Sequence, residues 1–255
     1  MKKTAQVLSF ALAASASAMT FADTSTSPHQ ITGNIAVLSS YILRGNTAVP
    51  ENADATVQGG LDYSHSSGFY AGYWGSTLDY SFTGFDPVTE QFTGSKAFEN
   101  DFYLGYNGQI TEDLGYTIGG AYYYYHESDV ESDVFETLVG LNYKDFTLTA
   151  QTLTDDVVWG NAGDTYIAAN YNYALPRDFN LSTTLGLYYY SDSGDFEGTS
   201  LDTKEDFNFR HLTFGLSHPL GNTGASMNVD YIVGGNDRSD KSLKNKVVLG
   251  LSYSF

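Results

Sequence analysis

The chain is 255 residues long, with 30 Asp and Glu against 12 Lys and Arg, a formal charge of −18 and no Cys. That balance excludes a general nucleic-acid binder, because phosphate contacts need Lys and Arg patches, and it excludes disulfides and thiolate metal sites. Mean hydropathy is negative, which excludes a bundle of membrane-spanning helices.

The chain opens on Lys2 and Lys3, followed by an apolar run over 7–14 and then small residues. The run is too short to cross a bilayer as a helix. The order of basic, apolar and small residues is that of a secretory signal peptide over 1–22, cleaved after Ala22, with Ala18 as the alternative. Its removal takes two lysines and no acid, leaving ten basic residues against thirty acids. Residues 23–30 read as a flexible lead, and residues 31–255 as one all-β unit.

From residue 31 the pattern is strand and turn. Twelve segments alternate apolar with small or polar residues at the period of a strand: 31–43, 56–65, 69–80, 98–106, 114–125, 134–143, 146–153, 165–174, 179–190, 207–217, 225–234 and 246–255. The first puts Ile35, Val37, Tyr41 and Leu43 on one face. The fourth puts Phe98, Phe102, Leu104 and Tyr106 opposite Glu99, Asp101, Tyr103 and Gly105. The last sets Val247, Leu249, Leu251, Tyr253 and Phe255 against Lys246, Val248, Gly250, Ser252 and Ser254. Segments of this length suit tilted strands crossing a hydrocarbon core.

The connections alternate in length. Short turns fall at 66–68, 107–113, 144–145, 175–178 and 219–224; longer loops, most of them, fall at 44–55, 81–97, 126–133, 154–164, 191–206 and 236–245. The long loops carry nineteen of the thirty acids, so charge gathers at one end. This sorting predicts an antiparallel, up-and-down transmembrane β-barrel of about twelve strands, with both termini at the short-turn, periplasmic end. Aromatics cluster near strand ends. Tyr41, Tyr80, Phe98, the run 122–125 and the run 188–190 lie toward the long loops. Tyr63, Phe69, Tyr106, Tyr116, Tyr143, Phe146, Tyr173, Phe179, Tyr253 and Phe255 lie toward the short turns. They are expected to form two girdles at the membrane interfaces.

About eight strands are filled by their own side chains. Twelve leave room for water, so the apolar faces are expected outside against lipid and the polar faces inside. On that placement Arg44, Asp62, Glu99, Asp101, Glu136, Asp230 and Lys246 are the candidate pore-lining residues. Acids in a pore favour cations. The alternative is that Arg44 and Lys246 pair with some of these acids in a nearly plugged lumen. The acidic loops, densest at Asp192, Asp195, Glu197, Asp202, Glu205 and Asp206, are candidates for divalent-cation contacts that bridge to lipopolysaccharide phosphates. No cofactor, catalytic set or dedicated metal site is expected. The histidines lack a paired ligand spacing, and His211, the mid-strand one, is expected to face the lumen as a satisfied polar group.

Residues 33–45, GNIAVLSSYILRG, and 57–76, VQGGLDYSHSSGFYAGYWGS, resemble the opening of the TorF porin family of Gram-negative bacteria. The match covers roughly 33–80 and rests on the Arg-Gly after the first strand, the Gln-Gly-Gly and the Gly-Phe-Tyr-Ala-Gly hairpin. It implies an outer-membrane barrel of porin type and supplies no catalytic residues. The chain departs at Ser40, where that family often carries an acid beside the first-strand tyrosine, which removes one lumen charge. The expected function is passive diffusion of small hydrophilic solutes or ions through a narrow, cation-leaning channel in the cell outer membrane. A non-conducting structural or adhesive barrel is the second reading, and a lipid- or peptide-hydrolysing barrel the third. Tyr253 and Phe255 are the candidate signal for the barrel assembly machinery, because the chain ends on an aromatic.

Overall fold

The computed structural model describes residues 27–47, 54–86, 89, 91–94 and 96–255. The leader expected over 1–22, its cleavage site and most of the lead lie outside the described residues. Fourteen strands follow in order: β1 (His29–Leu38), β2 (Thr56–His65), β3 (Phe69–Leu78), β4 (Ser81–Asp86), β5 (Gln91–Gly94), β6 (Ala97–Gln109), β7 (Leu114–Tyr125), β8 (Val134–Tyr143), β9 (Phe146–Leu153), β10 (Thr165–Ala174), β11 (Asn180–Tyr189), β12 (Phe207–Pro219), β13 (Ala225–Gly234) and β14 (Lys246–Ser254). Twelve of them close into one antiparallel barrel in which each strand pairs with its neighbours, and β14 returns to β1. β4 and β5 stand apart as a hairpin within the long loop after β3.

The period-two pattern resolves as expected. On β14, Val247, Leu249, Leu251 and Tyr253, with Phe255 just past it, are exposed on the outer face, while Val248 is buried inside beside Leu38, Ile42 and Ile232. The same outward band runs around the wall through Ile31, Ile35, Val57, Leu61, Phe102, Leu104, Val139, Leu141, Leu148 and Leu216. In water so wide an apolar belt is an aggregation surface. In lipid it is required, and closing β14 onto β1 pairs the two end strands of the sheet with each other.

Closure at the seam is short. β1 and β14 share five residue pairs, from Asn34↔Ser254 to Leu38↔Gly250, where β1 and β2 share ten. The chain end extends it: Gly33 and Phe255 exchange backbone hydrogen bonds of 2.9 and 3.0 Å. A Cβ on Gly33 would come within 2.5 Å of the Phe255 ring. A side chain at residue 33 would therefore push the Phe255 ring aside.

Three expectations change. β1 begins at His29, inside the expected lead, because His29 pairs with His65. It ends at Leu38 rather than at residue 43. Past Ser39 the chain leaves the wall and turns into the lumen, so Tyr41 is 2 % exposed inside the barrel instead of facing lipid. The loop expected over 81–97 contains β4 and β5, whose Phe82 and Phe85 pack inward against Tyr125 and the core. A six-residue and a four-residue strand are too short for alternation to separate them from a loop.

Candidate functional site

The site is the long-loop half of the lumen, built where the in-turned segment meets the inner wall. A tight turn over Leu43–Gly45 is closed by the Asn46 N–H on the Leu43 carbonyl at 2.8 Å. Arg44 and Gly45 both sit at left-handed φ, +48° and +71°. Gly45 lies against His211, whose ring would be 2.5 Å from any Cβ there. The glycine thus permits both the turn and the approach, and together they aim Arg44 into the barrel.

The guanidinium of Arg44 grips Glu136 on β8 with two parallel bonds, Nη1 to Oε1 at 2.8 Å and Nη2 to Oε2 at 2.6 Å. This fork is the strong form of the interaction. Arg44 also donates to the Tyr188 and Tyr123 hydroxyls at 3.2 and 3.1 Å and lies 4.9 Å from the centre of the Tyr166 ring. Glu136 accepts further bonds from the Tyr123 hydroxyl at 2.8 Å and Gln151 Nε2 at 3.0 Å. On β12, Arg210 Nε donates to the Arg44 carbonyl at 3.2 Å. The segment is latched at both its side chain and its backbone.

The other candidates divide. Glu99 and Asp101, alternate residues of β6, are buried on the inner face, and Glu99 accepts from the Tyr125 hydroxyl at 3.1 Å. The charges that act on Asp101 are Glu99, Glu136 and Arg44, so these four form one group. Asp62 on β2 is partly exposed and accepts from the Tyr103 hydroxyl. Asp230 on β13 accepts from Asn228 Nδ2 at 3.0 Å, and Lys246 opposite Ile232 is half-buried. His211 has both ring nitrogens in use, Nε2 with the Tyr166 hydroxyl at 2.8 Å and Nδ1 with Thr213 Oγ1 at 2.9 Å, the satisfied state its position suggested.

A buried aromatic and aliphatic cluster packs around the latch. Tyr41, Trp74, Leu78, Tyr103, Tyr123, Tyr125, Leu153 and Val157 belong to it, and Trp159 adds an edge-on contact to Tyr123 at 5.8 Å. The expected long-loop girdle is thereby corrected. In the run 122–125 alternate rings point outward and inward, and Tyr123, Tyr125, Tyr188 and Tyr190 belong to the interior.

The loops beyond hold a second knot. Arg238 bonds Asp164 and, at 3.2 Å, Glu197; Asn161 Nδ2 donates to Glu197 at 2.7 Å. Burial alone would push the Glu197 carboxyl up, but hydrogen bonds from Thr203 and Asn161 and the Arg238 charge hold it below its ordinary value. Burial pushes Asp164 up despite Arg238. Asp202 is met by Lys204 at 2.8 Å. The loop acids are accordingly not drawn together as ligands: among the described residues no group of three or more His, Cys, Asp and Glu is placed to hold a metal ion. Beside them lies an acidic cleft of about 670 Å³, lined by Tyr124, Tyr125, Glu127, Glu131, Asp133, Asp155, Asp156 and Asp195 among others.

Residues 22–255 match the model of a family described as a bacterial protein of unknown function, Gcw_chp. The chain belongs to the Gcw_chp family. No curated protein matches it. Among solved structures, the KdgM porin superposes with a TM-score of 0.54 at 7 % identity, covering 88 % of this chain and 99 % of that one. The NanC porin gives 0.51 at 11 % identity, again covering 88 % and 99 %. At such identities the likeness is one of fold, and this Gcw_chp barrel has the porin-like fold that its strand pattern predicted.

The sequence reading missed Tyr123, Tyr188 and Gln151 as partners of the latch. Strict alternation within the tyrosine runs carries the signal for the first two, since 123 and 188 share parity with inward residues. Gln151 has no such signal, because β9 is weakly alternating. Arg210 stood out as a strand residue of unusual charge, but its bond to the Arg44 backbone depends on the turn at residues 43–45.

Proposed function

We propose that this Gcw_chp barrel is an outer-membrane channel for small hydrophilic solutes or ions, narrow and cation-leaning, delivered to the envelope by the leader over 1–22. One observation carries the reading: an apolar outer belt encloses an inner wall that carries buried charged groups, Glu99, Asp101, Glu136 and Arg44 among them. There Glu99, Asp101 and Glu136 stand against Arg44. The acidic cleft among the loops supports it, since such a mouth raises local cation concentration. The TorF resemblance over 33–80 points the same way. Loop acids outside the knot, such as Asp192 and Glu205, remain available for divalent cations bridging lipopolysaccharide.

Purified protein in planar bilayers should give discrete current steps with reversal potentials displaced toward cations. Glu99→Gln combined with Asp101→Asn should move them toward zero. Unchanged reversal potentials would remove these acids from the conduction path. A non-conducting structural barrel is the second reading, favoured by the bidentate latch and the aromatic cluster around it. Absence of any current step, in wild type and in Arg44→Ala alike, would establish that reading. The His211 ring, with both nitrogens bonded, supports passage over hydrolysis.

Phe255 and Tyr253 are assigned to recognition by the barrel assembly machinery. Deleting Phe255 should lower the assembled, heat-modifiable form while leaving export intact. The two lost Gly33 bonds cost about 1–3 kcal/mol at the seam, too little to unfold the barrel. Normal assembly of the truncated chain would leave Phe255 a packing role alone.

A further inference from the structure

Several buried oxygens of the inner wall, Glu99 Oε2 among them, accept no hydrogen bond from any described residue. Asp101 is fully buried, 0 % exposed, and neither of its carboxylate oxygens accepts a hydrogen bond from any described residue; Gln58 Oε1, also buried, is in the same condition. A carboxylate cut off from water and from donors is a costly arrangement, and native interiors answer it with a pair, a proton or an ion.

The register sets Glu99 and Asp101 alternately on β6 and Gln58 two strands over, all on the inner face. Gln58 on β2 lies opposite Ser76 on β3, and Ser76 lies opposite Glu99 on β6. One step along the same face, Asp101 sits between Trp74 on β3 and Tyr123 on β7. Side chains so paired stand as neighbours. The positive charge acting on Asp101 is Arg44, which is already engaged by both carboxylate oxygens of Glu136. Glu99 and Asp101 therefore share a closed site with two formal negative charges and no cation of their own.

We propose that Asp101, with Glu99 and Gln58 beside it, holds one alkali-metal ion against the inner wall behind the Arg44 segment. The donors are all oxygens, which suits a hard cation. Magnesium dehydrates reluctantly and usually keeps several waters, which a site cut off from water does not supply, and a singly charged ion needs fewer acids to balance it. The inference deepens the acid-lined lumen proposed above and rests on it for the inward placement of Asp101. The two fail separately: a barrel without current can still hold the ion, and a conducting barrel can lack it.

Thallium(I) is the probe. Crystals of the full processed protein grown with thallium in place of potassium should show an anomalous peak beside Asp101, absent in Asp101→Asn. In vesicles, the wild-type urea midpoint should be higher in potassium chloride than in N-methyl-D-glucamine chloride of equal ionic strength. Each tenfold rise in potassium above half-saturation should raise the folding constant by up to about tenfold. Asp101→Asn should be indifferent to the choice of cation. Lack of thallium density at Asp101, or equal wild-type midpoints in the two salts, overturns the site and leaves a proton shared with Glu99 as the answer. If the variant does not assemble, the two wild-type measurements decide.

Discussion

At the short-turn end, Tyr143, Phe146, Tyr173, Tyr253 and Phe255 stand out from the wall; at the long-loop end, Tyr123, Tyr125, Tyr188 and Tyr190 point in and are almost wholly buried. All nine are aromatic and lie on barrel strands or just past them. What differs is what the chain does beyond them. Short turns such as 144–145 return the chain at once and put nothing in the lumen, so rings there serve the lipid interface. The long connections send back the 39–46 segment, Phe82 of β4 and Trp159, and the inward rings become the surface they pack on. One end is a rim and the other a core, and parity along the strand decides which tyrosine serves which.

The largest break in this contrast is expected at Glu136. Glu136→Ala leaves the Arg44 guanidinium buried without its carboxylate, a loss of about 3–5 kcal/mol if the segment stays in place. The segment can avoid part of that cost by leaving the lumen. Urea unfolding in vesicles should therefore show a lower midpoint, and bilayers a larger current. Arg44→Ala should be milder, because Glu136 keeps its bonds from Tyr123 and Gln151. Equal effects of the two substitutions would show that the latch is not what holds the segment.

The next test uses neighbouring tyrosines. Tyr123 is 1 % exposed and bonds both Arg44 and Glu136; Tyr122 is 42 % exposed on the outer face. Tyr123→Ala removes a buried ring and a latch partner and should cost about 3–5 kcal/mol. Tyr122→Ala should stay within about 1 kcal/mol. Comparable midpoint shifts would contradict the division of rim from core.

The strands were legible because lipid outside and polar groups inside impose one period on every one of them. Six of the twelve barrel strands, including β2, β7 and β13, have the bounds that alternation predicts. The failures share a cause. Residues 39–43 continue the alternation of β1, yet Arg44 and Gly45 at positive φ take them out of the wall. No local pattern announces a turn whose reward is an ion pair 92 residues away. Likewise Glu99, Asp101 and Glu136 were readable as inward acids one by one. Which of them Arg44 would choose was not, because that depends on strand register and on the depth of the turn.

The smallest effect lies outside the barrel, in the loop knot, and it asks whether the long-loop end is ordered by charge as well as by packing. Glu197 is held below its ordinary value of about 4.5 by Thr203, Asn161 and Arg238 against the pull of burial. A carboxyl lowered in the folded state contributes stability that is fully present above its unfolded value and is lost as pH falls through the folded one. Protection of 191–206 against an acid-active protease should thus hold at about pH 5.5 and decline below about pH 4. Asp164 works in the opposite sense, since burial raises it, so the whole-loop profile mixes the two. Glu197→Gln separates them: it keeps the shape of the side chain but removes the titration, and its protection should be lower at neutral pH and flatter toward acid. A variant profile that falls as steeply as wild type would assign the acid sensitivity to another group and leave the knot to packing alone.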